Sequence, residues 1–225
     1  MLRQLFFDAS ALKLAPRRCA VLAGILLIFG LSSQAETVQV AFVGYDTYVQ
    51  NGQYYVLPYQ LNVDGTVIDA TCYDIFDDVN VGQTWEANVL TVDQAAANGQ
   101  FSSWFGDYSD ALNAYERVGF LSHQATYSAQ DQIDLQQDIW NVFAPGTYGV
   151  TTGMQGYLNL LTTAAFANFD FNTVRFLEEV NQGSGRAQAF VIDPSAGTPE
   201  PGTVMLLGTG LLLVGVGRIR RKSVR

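Results

Sequence analysis

The chain has 225 residues, of which 48% are hydrophobic and 15% charged, and its formal net charge is −9. Between residues 36 and 198 the imbalance is steeper: 19 carboxylates stand against Arg117, Arg175 and Arg186, with no lysine, for a net −16. A field of that sign excludes nucleic acid and anionic lipid as natural partners, and it favours cationic or neutral ones.

In chain order, residues 1–35 read as a secretory signal peptide. Lys13, Arg17 and Arg18 form a basic n-region, residues 19–31 an apolar h-region, and Ser33 and Ala35 a small-residue cleavage site. Cleavage is expected after Ala35. The apolar run falls short of the ~20 residues a stable span needs.

Residues 36–198 form an extracytoplasmic body of one-domain size. TVQVAFV (37–43) alternates as a strand does. YYVLPYQLNV (54–63) and TVIDATCYDIF (66–76) flank Asp64-Gly65, which predicts a two-residue hairpin. Pro58 predicts an edge position or a bulge. TWEANVLTV (84–92) is a further strand. Helical periodicity follows at 109–124, where Leu112, Tyr115 and Val118 share a face interrupted by Gly119. It continues at 128–143, opened by Ser128 and Asp131 in a capping-box pattern and stopped by Ala144-Pro145-Gly146, and again near 154–169. VRFLEEV (174–180) and RAQAFVI (186–192) return to strand. The order predicts an α+β fold: a β-rich body of hairpins, sandwich or barrel-like, with an inserted helical lobe.

Of the two cysteines, Cys19 lies in the expected leader, which leaves Cys72 alone on the return strand of the hairpin. An odd cysteine in an oxidising compartment implies a free thiol, an intermolecular disulfide or another form of protection. One such form is an internal thioester with a glutamine. On the helix 128–143, Ile133, Leu135, Ile139, Trp140 and Phe143 define an apolar face. Gln136 falls near its centre, Gln137 on its rim, and Asp138 is expected to point outward. An amide centred on an apolar face needs a partner, because burying it unpaired costs a few kcal/mol.

Cys72-Tyr73-Asp74, followed some sixty residues later by Gln136, Ile139 and Trp140, resembles the thioester domains of bacterial surface adhesins. The likeness covers roughly residues 55–192. Leu135 and Asp138 depart from the threonine and alanine usual there. The resemblance implies a Cys72–Gln136 crosslink, surrounded by Tyr73, Asp74, Ile139 and Trp140. It also implies covalent capture of an amine-bearing surface or matrix partner, protein lysines included. A body without lysine offers no side-chain amine to consume its own thioester.

The C-terminal residues 199–225 open with Pro199, Glu200 and Pro201. A short apolar run, 203–217, follows, and then a basic cluster of Arg218, Arg220, Arg221, Lys222 and Arg225. The cluster would hold that end in the cytoplasm. The pattern resembles the PEP-CTERM sorting signal of Gram-negative bacteria. It implies a short transmembrane sorting helix, recognition by an exosortase, an inner-membrane intermediate, and delivery to the cell surface or extracellular matrix. The alternative is an ordinary single-span anchor.

The expected protein is therefore not an enzyme and uses no cofactor and no resident metal. Two other classes compete. Cys72 with His123, the single histidine, could form a nucleophile–base pair. A non-covalent surface or matrix module could bind calcium through the acidic clusters 74–78, 107–110 and 131–134, or carbohydrate through Trp85 and Trp104.

Overall fold

The computed structural model describes residues 35–46, 49–52, 54–56, 58–181 and 186–192. The expected cleavage site up to Gln34 and the whole apolar tail lie outside these residues. Among the described residues no helix is long and apolar enough to cross a membrane.

Six strands close into an antiparallel barrel in the order β1–β4–β5–β8–β7–β6. They are β1 (Glu36–Tyr45), β4 (Tyr59–Val63), β5 (Thr66–Cys72), β6 (Thr84–Leu90), β7 (Arg175–Glu179) and β8 (Phe190–Ile192). A small separate pair, β2 (Gln50–Asn51) and β3 (Tyr54–Tyr55), sits between β1 and β4. The period-2 pattern of the sequence sets the barrel's inside. Val38, Val40 and Phe42 of β1, Tyr59, Leu61 and Val63 of β4, and Ile68, Ala70 and Cys72 of β5 point inward and share one core. Asp64 and Gly65 take positive φ, 47° and 92°, as the right-handed twist of a two-residue hairpin requires. The Asp64 carboxylate also accepts the Gln39 N–H at 2.9 Å and ties the turn to β1.

Between β6 and β7 the chain leaves the barrel to build the expected helical lobe. It comprises α1 (Val92–Asn98), a 3-10 turn (Ser102–Trp104), α2 (Tyr108–Ser122), α3 (Ala129–Phe143), α4 (Thr152–Leu160), α5 (Ala164–Ala167) and a second 3-10 turn (Phe171–Thr173). A second core of aromatic and aliphatic residues lies where the lobe packs on the barrel. Gly119 lies within α2 because Val174 packs against it; a Cβ there would fall 3.1 Å from the valine Cγ1.

Several expectations need correction. The stretch 54–63 is not one strand but β3 and β4, separated at Pro58, whose missing N–H cannot join a ladder. Pro58 is not at an edge, since the barrel is closed; the bulge lies across the ladder in β1, between Phe42 and Gly44. The strand 66–76 stops at Cys72. Val92 belongs to α1, because Thr91 and Gln94 form a capping box that starts a helix there. The helix expected near 154–169 breaks into α4 and α5, and 186–192 is strand only from Phe190. At α3, Ser128 caps the Asp131 N–H, but Asp131 reaches back to the Tyr127 N–H and not to that of Ser128. Asp138 does not point outward: it is 1% exposed.

Candidate functional site

Cys72 is the last residue of β5, and the chain changes layer there. Its side chain belongs to the barrel core, while the next residue, Tyr73, belongs to the core beneath the helices. Helix α3 crosses this junction. Leu135, Gln136, Ile139, Trp140 and Phe143 are buried along it, as the periodicity predicts, with Gln137 half-buried on the rim. Cys72 and Gln136 are both fully buried, and the Gln136 Nε2 donates to the Cys72 backbone carbonyl at 2.6 Å. The Gln136 Oε1 is buried with no protein partner.

The Cys72 Sγ donates to the Asp74 carbonyl at 3.0 Å, an oxygen that also accepts from the Gln188 Nε2 at 3.3 Å. Burial pushes the Cys72 thiol well above its ordinary range. The Asp74 carboxylate adds to the rise, while the Asp74 backbone and the Trp140 indole N–H act against it. That indole N–H has no oxygen or nitrogen acceptor. Its ring is held edge-on to Tyr54 and stacked on Tyr148, each at 5.8 Å.

Asp74 and Tyr73 are locked from behind. The Asp74 carboxylate accepts from the Phe76 N–H at 2.8 Å and from the Gln100 Nε2 at 2.6 Å. Burial raises its pKa to about 6, against the pull of those two donors. The Tyr73 hydroxyl donates to the Glu178 carboxylate, which also accepts from the Tyr115 hydroxyl at 3.3 Å and the Gln100 backbone N–H at 2.6 Å. Gly99 makes room for this knot, since a Cβ there would fall 2.5 Å from the Tyr115 oxygen. Tyr73 and Asp74 are therefore firmly held in the two positions that follow the cysteine.

A cleft of about 240 Å³ opens on the outer side of Trp140. Tyr45, Tyr54, Tyr55, Tyr59, Trp140 and Asp78 line it, with Gln188 among its further lining residues. A larger cleft of about 460 Å³ contains His123 and Thr71 but neither Cys72 nor Gln136. The His123 Nδ1 lies 2.8 Å from the Gly119 carbonyl oxygen at the end of α2. These contacts give no support to a Cys72–His123 pair.

The acidic clusters have structural tasks. Asp77 pairs with Arg186, Asp107 caps α2, and Asp134 accepts from Gln130 and Thr151. Among the described residues no three histidine, cysteine or acidic side chains are grouped to hold a metal ion. Trp85 lies in the barrel core and Trp104 is 53% exposed.

Asp138 carries a pH-dependent consequence. Burial, with Asp134 adding to it and Arg117 opposing it, raises its pKa to about 7. A carboxyl raised in the folded state contributes stability below its unfolded pKa, near 3.9, and loses it as pH rises through 7. Asp138→Asn should therefore raise stability at pH 8 by on the order of 2 kcal/mol and change it little at pH 4. Urea melts at the two pH values would check this.

Gln100, Glu178, Gln188 and the cleft tyrosines are not marked as site residues by the sequence pattern. Glu178 left a signal, because the period of β7 sets it on the same face as buried Phe176. The others depend on pairings between distant segments.

Residues 198–222 match the family model of the PEP-CTERM protein-sorting motif. The expected sorting signal is thus present, with Pro199, Glu200, Pro201, Arg218, Arg220 and Arg221 inside the match. The motif marks an exported chain that passes through a membrane-held intermediate and is processed by an exosortase for the cell surface. No curated protein and no solved structure matches the chain.

Proposed function

We propose that the body is a non-enzymatic surface module that joins Cys72 to Gln136 as an internal thioester and uses it to capture an amine-bearing partner covalently. The observation that carries this reading is the contact between the Gln136 side-chain amide and Cys72, both at zero exposure. To form the bond, Sγ attacks the Gln136 Cδ. The Sγ–Cδ bond forms and Cδ–Nε2 breaks, and Nε2 leaves as ammonia with the thiol proton. In capture, an amine nitrogen attacks the same Cδ. The N–Cδ amide bond forms, Cδ–Sγ breaks, and one amine proton ends on sulfur.

The surroundings suit a bond that persists until an amine arrives. Exclusion of water slows hydrolysis. A thiol held well above its ordinary range is a poor leaving group, which keeps a resting thioester intact. The Trp140 N–H is available to the sulfur as it departs. The absence of lysine between residues 36 and 198 removes internal competitors. Exposure on the cell surface, which the sorting motif provides, puts such a site where partners are. The competing reading is a surface or matrix module without the bond, binding non-covalently, with calcium in one version.

Methylamine tests the choice. Native protein should gain a methylamide at residue 136 and release the Cys72 thiol, detected by peptide mass mapping. Unmodified glutamine at 136 after methylamine would refute the thioester. Resistance of Cys72 to alkylation does not discriminate, because a thiol with zero exposure resists it with or without the bond.

A further inference from the structure

The cleft beside Trp140 is built of aromatic faces with one acid at its mouth. Tyr45 lies 4.5 Å from Tyr55 and 5.2 Å from Tyr59 between ring centroids, and the Tyr59 hydroxyl donates to the Tyr55 carbonyl at 2.6 Å. The β2–β3 pair carries Tyr54 and Tyr55 onto this wall. Asp78 is exposed, and among the described residues it forms no ion pair of the kind that Asp77 makes with Arg186. Its charge is felt by both Tyr59 and Cys72, whose ionisation it opposes. Asp78, the tyrosines and the sulfur therefore occupy one electrostatic neighbourhood. Neither Cys72 nor Gln136 lines the cleft, but two of its lining residues border them: Trp140 stands one helical turn from Gln136, and Gln188 donates to the carbonyl that Cys72 reaches.

The volume and chemistry of the cleft select an occupant. At about 240 Å³ it is below the ~300–1,000 Å³ of ordinary small-molecule sites and suits a single slim chain. Tyrosine faces attract a cation through their quadrupoles and pack against methylenes. A carboxylate at the mouth attracts an ammonium and repels an acid. We propose that this cleft recognises the primary ammonium of an unbranched aliphatic chain, a partner's lysine side chain in particular. Resting on the thioester reading above, it delivers that nitrogen to residue 136. The bound ammonium gives one proton to water, and the neutral nitrogen then attacks Cδ as already described.

The experiment compares the native protein with Asp78→Asn, a substitution at an exposed position that leaves the core untouched. Two nucleophiles serve as probes: cadaverine, which is charged at neutral pH, and hydroxylamine, which is not. The readout is the rate of addition at residue 136 by mass spectrometry. The variant should add cadaverine about fivefold more slowly, the size of one partly solvated ion pair, and add hydroxylamine at the native rate. Salt should bring the native cadaverine rate down towards that of the variant. An unchanged cadaverine rate, or equal slowing of both probes, would overturn the delivery role while leaving the thioester standing. If neither probe adds to the native protein, the thioester and the delivery role fail together. Cadaverine titration followed by tyrosine fluorescence then decides recognition alone. Binding about fivefold weaker in Asp78→Asn supports it, and equal or absent binding refutes it.

Discussion

Opening the thioester with methylamine is expected to lower the melting temperature of the body by about 10 °C. The two residues are 64 apart in sequence, so a bond between them closes a long loop in the unfolded chain. In the chain-entropy account a crosslink of that span contributes about 4 kcal/mol. For a domain of this size each kcal/mol corresponds to roughly 2–4 °C. Cys72→Ser changes a single atom and should show the same loss before any amine is added. It should then be insensitive to methylamine. Gln136→Ala should remove the crosslink too, and it adds a cavity, so its loss should be larger. Gln137→Ala, on the rim of the same helix, should behave as the native protein does. Thermal scans of the four chains with and without methylamine would check the set. A native protein whose transition methylamine does not move would contradict the crosslink's place in the fold.

Glu178→Ala should cost about 3–5 kcal/mol, a large part of the stability of an ordinary domain. The carboxylate accepts from the Tyr73 hydroxyl, the Tyr115 hydroxyl and the Gln100 N–H, and all three groups are buried. Removing it leaves donors without acceptors beneath the cysteine turn. Burial raises the Glu178 pKa while those three donors oppose the rise. Glu178→Gln keeps one acceptor oxygen and should cost less than the alanine change. Because Tyr73 follows Cys72 directly, the alanine variant should also slow formation of the thioester. Urea unfolding would measure the first effect and intact mass during refolding the second. An alanine variant within 1 kcal/mol of the native chain would contradict the network's role.

Local pattern carried much of this into the sequence. The alternation of Val38, Val40 and Phe42, the Asp64-Gly65 turn and the 3.6-residue period through Leu135, Gln136, Ile139 and Phe143 are properties of short windows. Each was readable without knowing what lies across the barrel. The burial of Gln136 follows from its angle on the helix, and the Cys72 position from the strand before it. Closure of the barrel was not readable, because it depends on β8 pairing with β5, and β7 with β6, across the long helical insertion. Pro58 was read as an edge position or a bulge for the same reason: the sequence shows a missing donor, not whether the ladder beside it is closed. Asp138 was placed outward by its angle on the helix, which shows the far side of the apolar face but not what packs there. On α3 it lies between the apolar stripe and Arg117 of α2, so the neighbouring helix buries it. The aromatic cleft joins β1, β3, β4 and α3, and no window of sequence contains it.

The thioester itself is tested most directly by the intact mass of protein isolated without amines and mapped at residue 136. The account predicts a mass one ammonia below that of the processed sequence, with the deficit on the peptides that carry Cys72 and Gln136. Full mass, with unmodified glutamine at 136 and a thiol at Cys72, would contradict it.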